Sequence, residues 1–241
     1  MENTQESVSV EQVPEEVKVV SMEHTNKVLA GSFKWMAVGL FLSAITSLFV
    51  LTSETIMNFV YDTTFGFNII LILEIAMVWY LAAKIKSIPA NVAKYIFLAY
   101  SIVSGMTLSV IFLVFQMSSI VSIFFSTAVM FALLAIYGLK TKKDLTKWGQ
   151  YAYFALIGLI LASIVNLFIS GLVFDLVICW VGVIVFTIIT AYDVQKIKKI
   201  GAEMGEDEDG IKKASIMGAL NLYLDFINLF LYLLRLFGKR R

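Results

Sequence analysis

The sequence holds one cysteine, one histidine and no arginine before Arg235. A single thiol, Cys179, excludes an internal disulfide and any cysteine-rich metal cluster, and reads as a small buried hydrophobe. The lone imidazole, His24, precedes the first apolar run. That removes most zinc-hydrolase and histidine-based acid–base chemistry from the apolar part of the chain. Charge is scarce too: 15% of the 241 residues are Asp, Glu, Lys or Arg, against about a quarter in a soluble domain. The formal balance of +1 gives no basis for binding nucleic acid. There is no HExxH, no Gly-Asp protease pair with a partner aspartate motif, and no Ser or Cys with a histidine partner in the apolar runs. An enzyme is therefore not expected.

What the chain has is hydrophobicity. It is 59% apolar with a mean hydropathy of +0.85, the composition of a polytopic membrane protein whose solvent is the lipid bilayer. Apolar runs at about 33–51, 67–83, 95–114, 118–137, 151–170, 172–192 and 214–237 predict an all-α fold of seven transmembrane helices. Residues 1–32 read as a polar, acidic and disordered tail, 33–238 as the bundle and 239–241 as a basic C-terminus. The tail is no signal peptide, since it lacks a basic start and an early apolar core.

Lysine placement predicts orientation. The connections 52–66, 115–119 and 170–175 contain no Lys or Arg, whereas the alternate set carries Lys84, Lys86, Lys94, Lys140, Lys142, Lys143, Lys147, Lys196, Lys198, Lys199, Lys212 and Lys213. The positive-inside rule then puts the N-terminus in the cytoplasm. Lys239, Arg240 and Arg241 fall on the other side, against the rule, if the last run crosses; its apolar length favours crossing.

That last run organises the rest. Gly218, Asn221, Asp225, Asn228, Tyr232 and Arg235 share one arc of a helical wheel, and the opposite side is apolar apart from Tyr223. A charged Asp225 in the hydrocarbon core costs about 2.5–3.5 kcal/mol, so it should face other helices or water. The helix is therefore expected at the centre of the bundle. Asn221 and Asn228 either line a polar route or glue neighbouring helices together.

Asp193 reads as the last turn of the sixth helix, where the helix dipole disfavours a negative charge. Thr190 and Thr187, one and two turns earlier, could line a wet path; the alternative for Asp193 is a hydrated interfacial carboxylate offset by Lys196. If Asp193 and Asp225 meet in a low-dielectric site, they cannot both ionise cheaply and would hold one proton between them. With oxygens from Asn221 or Asn228, the pair could bind Ca²⁺ weakly and transiently, which suits permeation; protons and Ca²⁺ would compete for the same oxygens. No tightly bound cofactor is expected. The acidic run Glu203, Glu206, Asp207, Glu208 and Asp209 lies in a connection read as 193–213. It is either a solvated loop or a weak cation lure, and GAEMG at 201–205 is expected to carry no helix-packing role.

TAYDVQKIKK from Thr190, followed by LNLYLDFINLFLYLLRLFG from Leu220, resembles the paired signature of the Bax inhibitor family (the transmembrane Bax inhibitor motif proteins) in its bacterial branch. YGLKTKKDLTKWG at 137–149 agrees with it. The resemblance implies a bundle wrapped around the last helix, in a bacterial plasma membrane. It implies a pH-sensitive Ca²⁺ leak with Asp193 and Asp225 as proton sensor. In bacterial relatives an arginine of the second helix helps latch the pair; here Lys84 is the nearest cation of that helix, either a looser latch or a snorkelling interfacial lysine. Glu74, also within that helix, either lines the route or hydrogen-bonds a neighbour. Two other functions fit the same sequence: Ca²⁺/H⁺ exchange, and regulation of membrane proteins or of a membrane protease through the acidic tail.

Overall fold

A computed structural model describes residues 15–61, 66–169, 171–203 and 207–241. Among them the chain forms nine helices and no strand. In order these are α1 (Glu15–Thr52), α2 (Glu54–Tyr61), α3 (Gly66–Lys84), α4 (Ala90–Leu108), α5 (Val110–Val114), α6 (Met117–Lys140), α7 (Thr146–Ile169), α8 (Leu172–Glu203) and α9 (Glu208–Phe237). Seven stretches are long and apolar enough to cross a membrane, α4 and α5 counting as one. These coincide with the seven apolar runs. Trp79, Phe154 and Phe168 point outward and stand largely exposed, an outer surface that suits lipid and not water.

The last helix is the hub. α9 packs against α1, α8, α6 and α4, and more of it is buried than of any other span. Between helices in a membrane the attraction is close packing, and α9 supplies it with large side chains. Phe226 and Phe230 meet Phe124 edge-on at 5.2 and 5.7 Å, and Phe226 meets Phe131 at 5.5 Å. Tyr223, the polar exception on the apolar side, is fully buried between α1 and α4, its hydroxyl 2.7 Å from Ser43 Oγ. Small residues let backbones close in elsewhere: a Cβ added at Gly105 of α4 would lie 2.6 Å from the Ser43 carbonyl oxygen of α1.

Three expectations need correction. The segment 15–32, expected as disordered tail, is helical. α1 begins at Glu15 and buries Thr25, Val28 and Ser32, spaced to share one face; residues 1–14 lie outside the described residues. The connection 193–213 is mostly helix as well, since α8 runs to Glu203 and α9 begins at Glu208. Asp207 caps α9, accepting from the backbone N–H groups of Asp209 and Gly210 at 3.1 Å each. Glu208 and Asp209 occupy the first turn and pair with Lys212 and Lys213 at 2.8 Å. Acids at a helix N-terminus are favoured by its dipole, which accounts for Asp207, Glu208 and Asp209. The segment 204–206, with Glu206, lies outside the described residues. Gly201 of GAEMG does carry a packing role, because an added Cβ would stand 2.8 Å from the Thr25 Cα of α1.

The lysine-rich ends of the helices gather at one end of the bundle: the Ala90 N–H donates to Asp209 at 3.1 Å, and Lys199 pairs with Asp144 at 2.8 Å. The basic C-terminus lies at the other end. There the Gln116 N–H donates to the Lys239 carbonyl at 2.9 Å and the Arg241 N–H to that of Val114 at 3.0 Å. α9 therefore runs the full height of the bundle.

Candidate functional site

The polar arc of α9 faces α8 over much of its length. Tyr232 lies over Gly182, where an added Cβ would sit 2.7 Å from its ring, and Arg235 pairs with Asp175. Asp225 belongs to this arc and is 4% exposed; Asp193 of α8 is 1% exposed. Asp193 lies within electrostatic reach of Asp225, and both lie within reach of the Tyr153 hydroxyl of α7. Tyr153 reaches both oxygens of Asp193, at 3.0 and 3.1 Å, and so donates one proton shared between them. Asp225 Oδ2 is buried with no hydrogen-bond partner among the described residues. Such an oxygen is costly to leave alone, so a proton, a water or a cation is the chemistry it invites.

Asp193 is not in the last turn of its helix. α8 continues for ten residues beyond it, so the dipole argument does not apply and burial takes its place. Lys196, one turn further along, is the cation that acts on both carboxylates. It is exposed, 6.0 Å from the Tyr192 ring centre, and the Tyr192 ring in turn stands edge-on to Tyr153 at 6.1 Å. Among the described residues no ion pair involves Asp193 or Asp225, so the pair is held by packing and one phenol, not by a basic latch.

The other expected residues separate. Lys84 is exposed at the end of α3, whose packing partners are α4 and α2; of its two readings this position favours the snorkelling lysine over the latch. Glu74 is half-buried and accepts from the Thr107 hydroxyl of α4 at 2.6 Å, in a cluster apart from the pair. Thr190 is fully buried but donates to the Phe186 carbonyl at 2.7 Å, and Thr187 donates to that of Val183 at 2.7 Å. Each keeps only lone pairs to offer an ion. Thr187 opens onto a groove with Leu134 and Trp148. Asn228 spends an amide proton on the Leu224 carbonyl at 2.8 Å, and Asn221 is half-buried.

Two features were missed in the sequence. One is Tyr153, a tyrosine near a helix end with nothing to set it apart from Tyr151. The other is the pair Arg235–Asp175, joined by the Asn166 side-chain amide, which donates to Asp175 at 3.2 Å. A signal for it existed: an isolated acid and an isolated base at the lysine-poor ends of adjacent spans.

Comparison with known proteins fits this arrangement. The family model described as inhibitor of apoptosis-promoting Bax1 matches residues 25–241. The chain belongs to the Bax inhibitor family. Inner membrane protein YbhL of Escherichia coli K12 is 42% identical over 214 residues, covering 88% of this chain and 92% of YbhL. A protein of Borreliella burgdorferi is 38% identical over 216 residues, 90% of this chain and 93% of its own. A membrane protein of Streptococcus pyogenes serotype M6 is 35% identical over 218 residues, 89% and 93% respectively. The Bax inhibitor match begins inside α1, so it takes in all seven spans and the part of α1 packed on α9.

Proposed function

We propose that this Bax inhibitor family member is a pH-sensitive Ca²⁺ leak of the membrane, controlled by Asp193 and Asp225 sharing one proton. The observation that carries the reading is the buried, unpartnered Asp225 oxygen within electrostatic reach of a second buried carboxylate, Asp193. Two like charges in a medium of low dielectric repel strongly, and one proton between them removes most of that cost. When the proton leaves, the pair becomes both a cation site and a wedge between α8 and α9. When both carboxyls are protonated, the oxygens lose their hold on Ca²⁺. The site is poor in ligands, for among the described residues no three Asp, Glu, His or Cys side chains converge; Ca²⁺ is then cargo passing through, not a resident.

The lysine-rich end faces the cytoplasm in this reading, by the positive-inside rule. The pair then lies toward the cytoplasmic side of the bundle, and Arg235 with Asp175 closes the opposite end. Ca²⁺ uptake into proteoliposomes across a pH series is the direct test. Wild-type flux is expected to change with pH, and Asp193→Asn and Asp225→Asn to flatten that dependence. Variants that track the wild type at every pH would remove the sensor. Flux uphill against Ca²⁺, driven by an imposed proton gradient, would convert the leak into an exchanger.

A further inference from the structure

Where the connection between α6 and α7 meets α8, two hollows share Lys143 as a wall. One, of about 300 Å³, is lined by Lys142, Lys143, Lys198 and Lys199. The other, of about 320 Å³, is lined by Leu134, Tyr137, Trp148 and Ile188 and lies against α6, α7 and α8. We propose that together they bind an anionic phospholipid, its phosphate among the lysines and an acyl chain in the apolar groove.

The charges are arranged for an anion. Asp144, the one acid in the lysine wall, is already committed: Lys199 donates to it at 2.8 Å, and Thr146 donates from its hydroxyl at 2.7 Å and its backbone at 3.2 Å. Those donors fix Lys199 beside the hollow. An ammonium has three N–H groups, so Lys199, which also donates to the Thr146 hydroxyl oxygen at 3.4 Å, keeps one free, and Lys198 keeps two after donating to the Leu139 carbonyl at 2.9 Å. Among the described residues the Lys142 and Lys143 ammonium groups have no hydrogen-bond or ion-pair partner. The wall between the hollows is rigid, because Gln195 clamps it twice. Its Nε2 donates to the Lys143 carbonyl and its Oε1 accepts from the Leu145 N–H, both at 2.9 Å.

Depth decides for a lipid over a free anion. Tyr137, Trp148 and Tyr151 stand exposed at this same end of α6 and α7, the position of an aromatic belt at headgroup level. Tyr137 and Trp148 of that belt line the apolar groove itself, with the lysine hollow adjoining it across Lys143. A soluble phosphate would use only the first hollow; an amphiphile uses both. The site differs from the aspartate pair in residues and in ligand, so it stands whether or not the leak does.

The test is native mass spectrometry of the full chain released from mixed micelles, with thermal unfolding alongside. The probes are phosphatidylglycerol, phosphatidylcholine of the same chains, glycerophosphoglycerol and inorganic phosphate. The expected result is one retained phosphatidylglycerol and a raised melting temperature with that lipid alone. The triple variant K142Q/K143Q/K198Q should bind it about a hundredfold more weakly, and K143Q alone about fivefold. The control K84Q/K86Q/K94Q, at the same end of the molecule, should bind as wild type. Equal retention of phosphatidylcholine, or a triple variant that binds normally, would overturn the proposal. Equal protection by inorganic phosphate or glycerophosphoglycerol would also overturn it, reducing the site to a plain anion hollow. If the triple variant does not fold, unchanged binding by K143Q overturns it alone.

Discussion

Two residues apart on α9, Tyr223 and Asp225 have opposite fates. The tyrosine hydroxyl is satisfied by Ser43, while one aspartate oxygen has no partner among the described residues. A satisfied group stabilises and an orphan waits for something, so the two should respond differently to substitution. Tyr223→Phe should lower stability by about 1 kcal/mol, read as a melting shift in detergent, and leave the pH profile of Ca²⁺ flux unchanged. Asp225→Asn should do the reverse, flattening the pH profile while melting near the wild-type temperature, since the neutral amide stands in for the carboxyl that holds the shared proton. Tyr153→Phe removes the phenol that Asp193 accepts from and should cost about 1.5–3 kcal/mol, because bonds to charged groups are the stronger kind. Outside the membrane spans, Lys199 and Thr146 hold the Asp144 carboxyl down at about 2. A carboxyl lowered on folding stabilises above its ordinary value near 4, and that contribution fades as pH falls toward 2. Asp144→Asn should lower stability slightly in the neutral range and converge on the wild type toward pH 2, so that the acid limb of its unfolding curve is flatter. Asp225 could be singled out from sequence because an aspartate in an apolar run has a cost that demands a reason. Tyr153 could not, because a tyrosine near a helix end is ordinary and its role depends on which helix lies beside it.

At the scale of the helix, hydropathy marked every span but not where helices stop. α1 and α8 continue well past their apolar segments because their polar extensions pack on one another, with Gly201 against Thr25. Apolar periodicity carries no trace of such helix, whose partner is another helix in water and not lipid. The same geometry separates two kinds of glycine. At Gly105 an added Cβ meets the Ser43 carbonyl oxygen at 2.6 Å, a backbone atom that cannot swing aside, whereas at Gly158 of α7 nothing lies within 4 Å. Gly105→Ala should therefore destabilise by about 1–3 kcal/mol. Gly158→Ala should stabilise by about 0.5–1 kcal/mol, because only the entropy of the unfolded chain changes. Melting temperatures of the two variants, measured side by side, check both.

Across the whole molecule, charge divides between the two ends. Lysine-bearing connections gather at one end, and at the other Arg235, Asp175 and Asn166 form a small polar knot close to the C-terminal residues. In the proposed leak this knot is the far closure. Arg235→Gln should raise basal Ca²⁺ uptake several-fold at a pH where the wild type is nearly shut, without removing the pH dependence set by the aspartates. The division of lysines was readable from sequence, since it depends only on their number per connection. The knot depends on which spans are neighbours, and that is a property of the packed bundle.

The continuation of α8 past Asp193 bears on how the pair could be reached. Ten residues of helix rise above that carboxylate, a height of about 15 Å. An ion leaving it toward the lysine-rich side would first have to part packed side chains, because the carboxylate itself is sealed from solvent. Bulky water-soluble thiol reagents should then label a cysteine placed at Ile200 readily, and one placed at Asp193 hardly at all until the packing around it opens.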